Sequence, residues 1–155
     1  MSRDRATDVR VERAAVVAVE HSIVTMTDLT VAYPSTDWGI DLLVFRPDPL
    51  NVAGVQVKGA SSGLSVWQKY SSQSVIVAHV LDPLGEDPTV CLLTGAEAWR
   101  LPVEYVERGG KASDHSPENL GYRWSSVTRL LRQILLERRA TPDRWLALFE
   151  EVRAR

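Results

Sequence analysis

The sequence has a single cysteine and no long apolar run, and each of these absences excludes a class of protein. One cysteine among 155 residues, Cys91, allows neither an internal disulfide nor a cysteine-based zinc cluster, and its apolar neighbours predict a buried thiol. The longest uninterrupted apolar run, Ala14 to Val19, is far shorter than the ~20 residues of a membrane helix. The polar amino terminus lacks the apolar segment of a signal peptide, so we expect a cytoplasmic protein.

The sequence also has few of the patterns that mark common catalytic sites. It contains no Ser-His-Asp signature, no glycine-rich phosphate loop and no zinc-binding pattern. His21, His79 and His115 show no metal-ligand spacing, so we expect each to be an ordinary hydrogen-bonded or exposed side chain. A formal net charge of -2 gives no overall attraction to nucleic acid. Any contact with DNA must therefore come from a local basic patch.

The composition is that of one globular domain. The 155 residues are 45% hydrophobic and 25% charged, without internal repeats, so 1–155 is expected to form a single domain. A helix is predicted from Thr7 or Asp8 to about Thr25. Strands are predicted at 29–33, 40–45, 52–58, 74–81 and 89–93. The last two are near-continuous apolar runs, typical of strands covered on both faces. The pattern predicts an α/β fold with a mixed central β-sheet flanked by helices.

The carboxy-terminal part is predicted to contain a loop and two helices. Residues 107–121 are rich in Gly, Ser, Asp and Pro, which is typical of an exposed loop. A helical pair over about 125–153 follows, with Ser125 or Ser126 capping its first helix and Thr141 capping its second. This pair is a candidate surface for a protein partner.

The most informative segment places polar residues inside two apolar strands. Asp41 stands near the start of one strand, and Gln56 and Lys58 stand inside the next. Side chains alternate along a strand, so Gln56 and Lys58 point to the same face. The chain has three lysines against fifteen arginines, which makes a lysine inside a strand a specific choice. Buried ionisable groups need a partner or a function, because burial disfavours their charged forms.

The hairpin between these strands decides whether Asp41 can reach the two polar residues of the next strand. A symmetric five-residue loop between Arg46 and Val52 would pair Asp41 with Val57, whose side chain points to the other face. A bulge or a shift of one residue is needed to bring Asp41 opposite either polar residue. The site hypothesis therefore requires a hairpin that differs from the symmetric one.

The residue types in this segment suit a divalent cation. Mg²⁺ or Mn²⁺ needs oxygen ligands, with a carboxylate as anchor and neutral oxygens or water beside it. Asp41 is the natural anchor, and the Gln56 side-chain oxygen and the Val57 carbonyl are the predicted neutral ligands. If such a cation served in the hydrolysis of a phosphodiester bond, Lys58 is predicted to orient the attacking water or to stabilise charge that develops on the phosphate.

The order of these elements resembles the core of the PD-(D/E)XK nuclease superfamily. The resemblance covers about residues 8–93, and its Gln-x-Lys form is similar to that of Mrr-type restriction endonucleases. It implies a restriction-endonuclease-like core that hydrolyses DNA phosphodiester bonds with Mg²⁺ or Mn²⁺, and it leaves a homodimer open. In the family the second-strand Asp binds metal, which matches Asp41, and the Gln-x-Lys residues match Gln56 and Lys58.

The resemblance also implies a glutamate from the first helix, as in archaeal Holliday-junction resolvases. Here that residue would be Glu12, in a local Glu-Arg context, and Glu20 is the rival. Both glutamates also fit the charged rim of an amphipathic helix. Asp37 is predicted to be a turn residue, with a metal ligand as its alternative role.

Several alternatives stay open at the level of the sequence. Asp41 and Lys58 could form a structural ion pair. Gln56 in place of a glutamate removes one negative charge, which favours a catalytically inactive member of the same fold that serves as an interaction or regulatory module. A protein that binds a partner through its carboxy-terminal helices would expose the apolar stripe of Trp145, Leu148 and Phe149.

Two further groups of residues have a structural and a nucleic-acid interpretation. Segment 64–70 fits either a short strand or a helical turn, and its Trp67 and Tyr70 are predicted to cover the core rather than to stack on nucleic acid. Four arginines of the carboxy-terminal part are predicted to form a solvated helix face rather than to contact phosphates. They are Arg129, Arg132, Arg138 and Arg139.

Overall fold

The structure is a computed structural model that describes residues 5–36, 38–61, 63–111 and 120–153. Within these ranges the strands are β1 (Thr30–Ala32), β2 (Leu42–Pro47), β3 (Leu50–Ala60), β4 (Leu64–Trp67), β5 (Val75–Leu81), β6 (Thr89–Thr94) and β7 (Gly121–Trp124). The helices are α1 (Arg5–Met26), α2 (Gly95–Glu107), α3 (Arg129–Leu136) and α4 (Pro142–Arg153).

Five of the strands form one mixed sheet in the order β1-β2-β3-β5-β6. β3 and β5 are parallel, and the other neighbouring pairs are antiparallel. β4 and β7 form a separate antiparallel ribbon. The predicted α/β class, with a mixed central sheet flanked by helices, is confirmed.

The two faces of the central sheet belong to different cores. One face packs against α1 and α4, and the cluster it forms with them contains the strand residues Leu42, Val44, Ala53, Val55, Val57, Ile76, Ala78, Val80, Val90 and Leu92. The other face packs against α2, α3 and the β4–β7 ribbon, and contributes Ala60, Val75, Val77, Leu81, Cys91 and Leu93. Because side chains alternate along a strand, Gln56, Lys58 and His79 belong to this second face. Cys91 is buried, as predicted.

The β2–β3 hairpin has a register different from the symmetric one. Arg46 pairs with Asn51 and Pro47 pairs with Leu50, so the turn contains two residues instead of five. Leu42 consequently pairs with Val55. The register is shifted by one residue in the direction that brings Asp41 next to Gln56.

The starts of two helices differ from the sequence prediction. α1 already includes Arg5, so the predicted caps Thr7 and Asp8 lie inside the helix, where Arg5 and Ala6 continue it as good helix formers. α3 is capped by Thr128, whose hydroxyl accepts a hydrogen bond from the Leu131 N–H at 3.2 Å. The predicted caps Ser125 and Ser126 are wrong because the preceding residues form β7, and the chain must turn before a helix can begin.

Helix α2 and strand β7 were not predicted from the sequence. α2 begins with a capping box in which the Glu97 N–H donates to Thr94 Oγ1 at 3.1 Å and the Thr94 N–H donates to Glu97 Oε2 at 2.8 Å. β7 begins at Gly121, the last residue of the segment predicted as a loop, and residues 112–119 of that segment lie outside the described ranges. Segment 64–70 is both a strand, β4, and a turn of 3₁₀ helix at Gln68–Tyr70.

The apolar stripe of α4 is part of the core. Trp145, Leu148 and Phe149 are all buried against the central sheet and α1. The Trp145 indole N–H donates to Ser22 Oγ at 2.9 Å, which satisfies both polar groups inside this core. The exposed stripe that would favour a partner on the carboxy-terminal helices is therefore absent from the described chain. Among the described helices, none has the length and apolar character needed to cross a membrane.

Candidate functional site

Asp41 lies at the point where strand β2 starts and is tied to strand β3 by two hydrogen bonds. Its backbone N–H donates to the Val55 carbonyl at 2.9 Å, and its Oδ2 accepts the Val57 N–H at 2.7 Å. The carboxylate thus takes the place of a strand carbonyl for Val57. Asp41 is half-buried and lies directly against residues 55–57, as the site hypothesis required.

Gln56 brings a second oxygen to this corner of the sheet. Its side chain is only 5% exposed, and its Nε2 donates a long hydrogen bond of 3.4 Å to the Val57 carbonyl. Its Oε1 is buried and has no hydrogen-bond partner within the described part of the chain. The N–H and C=O of one strand residue point toward the same neighbouring strand, so the Val57 carbonyl is on the side of Asp41. The three predicted oxygen ligands therefore lie around one end of β2.

Gly39 and Tyr70 form a wall beside Gln56, and the sequence alone did not reveal them. Gly39 has φ +79°, a left-handed conformation that favours glycine. A Cβ added to Gly39 would lie 3.5 Å from the Tyr70 hydroxyl oxygen and 3.8 Å from Gln56 Oε1. Tyr70 is buried, as predicted, and its hydroxyl reaches the same corner. No local sequence signal predicts this contact, because it depends on how the segment after β4 packs on the sheet.

Lys58 lies on the same face as Gln56 and is the cross-strand neighbour of His79. Lys58 is half-buried, and its β3 position pairs with His79 in the parallel strand β5. His79 is fully buried, and neither ring nitrogen has a hydrogen-bond partner among the described residues. Burial, followed by the positive charge of Lys58, lowers the pKa of His79 from 6.5 to about 4. His79 is therefore a neutral imidazole near pH 7.

The prediction of an ordinary hydrogen-bonded or exposed histidine is wrong for His79. The sequence did show it inside an apolar strand, but its cross-strand neighbour depends on a parallel register that no local pattern specifies. The prediction is confirmed for His21, which is exposed. His115 lies outside the described residues.

Glu12 is on the exposed side of α1, away from the Gln56 face. Val11 and Ala15 of α1 pack over Gly59, and α1 covers the face of the sheet opposite Gln56 and Lys58. Glu12 therefore lies apart from Gln56 and Lys58, and its catalytic role stays a prediction.

Glu20, the rival of Glu12 in the sequence analysis, does not extend the site. Glu20 is also on α1, where the Tyr33 hydroxyl donates to its carboxylate. Asp37, the alternative ligand, lies outside the described residues.

The donor set fits a hard divalent cation with few protein ligands. Asp41 supplies the negative charge, and Gln56 Oε1 is a buried oxygen without a partner in the described chain. Over the described ranges, no three His, Cys, Asp or Glu side chains come together to hold a metal ion. A cation here would depend on one carboxylate, neutral oxygens and water, which is the open coordination that Mg²⁺ commonly has.

Of the residues considered for nucleic-acid contact, two arginines form ion pairs within the protein and Trp67 is exposed. Arg132 pairs with Asp82 at 2.5 Å and Arg138 pairs with Glu104 at 2.8 Å, so these two arginines are engaged within the protein. The prediction that Trp67 covers the core is wrong, because its side chain is 42% exposed. In β4 the alternate residues Leu64 and Val66 point inward, and Trp67 therefore points outward.

Comparison of the chain with protein-family models, curated proteins and solved structures gave no match.

Proposed function

We propose that the chain is a metal-dependent nuclease that hydrolyses DNA phosphodiester bonds with Mg²⁺ or Mn²⁺. The observation that carries the proposal is the shifted hairpin register, which puts the Asp41 carboxylate against residues 55–57. The unpartnered Gln56 Oε1 beside it supports the same conclusion. Such an orphaned buried oxygen lowers stability, and a bound cation would satisfy it.

Asp41, the Gln56 side-chain oxygen and the Val57 carbonyl would hold the cation. When bound, the cation would supply charge neutralisation at the phosphate and a lowered pKa for water. The Lys58 ammonium would orient the attacking water or stabilise negative charge that develops on the phosphate oxygens. The neighbouring His79 is uncharged near pH 7, so Lys58 would be the cation of this pair that interacts with the phosphate.

The proposal includes a cytoplasmic location. The buried thiol of Cys91, the one cysteine of the sequence, is in keeping with a reducing compartment.

A second candidate is a catalytically inactive protein of the same fold that acts as an interaction or regulatory module. The specific observation in its favour is that Asp41 Oδ2 already accepts the Val57 N–H, which gives the carboxylate a structural role. A glutamine at position 56 also leaves the site with less negative charge than a glutamate would give. The two candidates differ in whether metal binds and whether DNA is cut.

A plasmid-nicking assay with matched variants separates them. We expect the wild-type protein to nick supercoiled DNA in Mn²⁺ or Mg²⁺, and Asp41→Asn to lose about 100-fold or more, because metal charge stabilisation contributes several kcal/mol. Asp41→Asn keeps an oxygen that can accept the Val57 N–H, so the fold should survive. Asp87→Asn, an equal change at an exposed position between β5 and β6, should retain full activity.

The outcome that contradicts the nuclease proposal is equally specific. A wild-type protein that neither nicks DNA nor gains thermal stability from Mn²⁺ would leave the inactive module as the better account. Nicking that persists in Asp41→Asn would point to a contaminating nuclease or to a different site.

A further inference from the structure

An exposed tryptophan stands at the end of strand β4. Trp67 is 42% exposed, and its ring lies over Gly121, where an added Cβ would come within 2.6 Å of the ring. The glycine therefore lets the indole pack closely on the β4–β7 ribbon while part of the ring remains open to solvent. A large aromatic side chain at a solvent-facing strand position is a common element of binding surfaces.

Trp67 borders a groove whose other residues, apart from Leu120, are polar or basic. The groove has a volume of about 700 Å³ and is lined by Trp67, Gln68, Lys69, Ser71, Ser72 and Leu120. The lining contains one positively charged side chain, Lys69, and several neutral hydrogen-bonding groups, without a carboxylate among these residues. This combination of an aromatic surface, a positive charge and hydroxyl groups is complementary to a base and its phosphate.

The groove is physically connected to the candidate site through Tyr70. The Lys69 ammonium lies 4.9 Å from the centre of the Tyr70 ring. The hydroxyl of the same tyrosine approaches Gly39 beside Gln56 Oε1. Trp38, the residue before Gly39, is 85% exposed and adds a second open indole next to the site. Tyr70 thus contacts Lys69 of the groove with its ring and approaches the Gln56 side of the candidate site with its hydroxyl.

We propose that this groove binds a single-stranded segment of DNA, with Trp67 stacking on a base and Lys69 contacting the backbone. The inference rests on the proposed nuclease function and adds its substrate class: single-stranded DNA, or DNA with unpaired bases. In a duplex the bases stack on one another, so an exposed indole gains a stacking partner only from an unpaired base.

The test is a binding titration in EDTA, where no metal-dependent cleavage occurs. Fluorescence anisotropy of a labelled oligothymidylate, and of a duplex of the same length, is measured with the wild-type protein. We expect the single strand to bind more tightly than the duplex. Trp67→Ala should weaken single-strand binding by about fivefold or more, and Trp67→Phe should retain most of it, because one base–aromatic stack has this effect.

Further variants keep the result interpretable. Lys69→Ala should weaken binding and reduce its salt dependence, because one phosphate contact is lost. Leu84→Ala removes an exposed apolar side chain from the β5–β6 turn and should bind as wild type does. Thermal melting of each variant confirms that the ribbon remains folded, and Lys69→Ala tests the groove without touching the Trp67–Gly121 contact.

The outcomes separate this inference from the proposed function. Duplex binding as tight as single-strand binding, or Trp67→Ala binding equal to wild type, would overturn the inference, even if Asp41-dependent nicking is found. Tighter binding of oligouridylate than of oligothymidylate would overturn the assignment to DNA. Trp67-dependent single-strand binding without any nicking would support the inference and contradict the nuclease.

Discussion

The two faces of the central sheet are built from the same strands but differ in how their polar groups are satisfied. On the face covered by α1 and α4, the Trp145 indole N–H donates to Ser22, and apolar side chains fill the rest of the cluster. On the opposite face, Gln56 Oε1, both ring nitrogens of His79 and Trp124 Nε1 are buried without a partner in the described chain. We call these the satisfied face and the unsatisfied face.

The difference indicates where the molecule gives up stability. A buried polar group without a partner costs about 1–3 kcal/mol, and most proteins contain few of them. Here the described orphans share one side of the sheet with Lys58, and Gln56 lies next to Asp41. Local violations of good packing rules are concentrated at functional sites, so the unsatisfied face is the better place to look for chemistry.

The largest effect that would test this contrast is the pH dependence of His79. Its pKa is about 4 in the folded chain against 6.5 ordinarily, so between these values the unfolded state binds more protons. The free energy of unfolding should therefore fall by up to about 3 kcal/mol as the pH drops from 6.5 to about 4. Above pH 6.5 His79 is neutral in both states, and this loss should be absent. Urea unfolding at a series of pH values measures this loss.

His79→Leu is the control for that experiment. It removes the titrating group, so the acid loss should become smaller by the His79 contribution. Stability at pH 7 should stay level or rise by about 1 kcal/mol, because an unpartnered polar group is replaced by an apolar one. An unchanged acid loss in His79→Leu would show that other groups titrate in this range and that His79 does not distinguish the two faces.

Asp41 gives the next largest effect, because its carboxylate accepts a short hydrogen bond from the Val57 N–H at 2.7 Å. Asp41→Ala leaves the Val57 N–H without its acceptor, so we expect a loss of about 1–3 kcal/mol in the free energy of unfolding. Asp41→Asn preserves an acceptor and should lose less. Equal losses in the two variants would mean that the negative charge of Asp41, rather than its hydrogen bond with the Val57 N–H, provides the stabilisation. A structural ion pair with Lys58 would have this effect.

The smallest expected effect compares two buried tryptophans. Trp145→Phe on the satisfied face removes the donor to Ser22, whereas Trp124→Phe on the unsatisfied face removes an N–H that has no described partner. Both changes delete a similar volume, so the difference reports the hydrogen bond. We expect Trp145→Phe to cost about 1 kcal/mol more than Trp124→Phe in chemical denaturation. A larger loss at Trp124 would show that its N–H is satisfied in solution.

Much of the candidate site was predicted from the sequence. The neighbouring residues that were not predicted were missed for the same reason. Alternation along β3 places Gln56 and Lys58 on one face, and the apolar runs at β5 and β6 predict buried strands. The neighbours Tyr70 and His79 come from other segments, and their contacts depend on packing and on a parallel register. Helix α2 could have been found from its Thr-x-x-Glu capping box at Thr94.

The sequence by itself determined the α/β class, the helix at α4 with its Thr141 and Pro142 start, and the shared face of Gln56 and Lys58. These features depend on local periodicity and capping, which act over a few residues. Only the tertiary structure decided that Asp41 lies against Val57, that Lys58 has His79 as its neighbour and that Trp145 is buried. Each of these depends on a hairpin register, a strand pairing or a packed core. Such long-range contacts have many alternatives that are locally equivalent, and the burial of the whole chain selects among them.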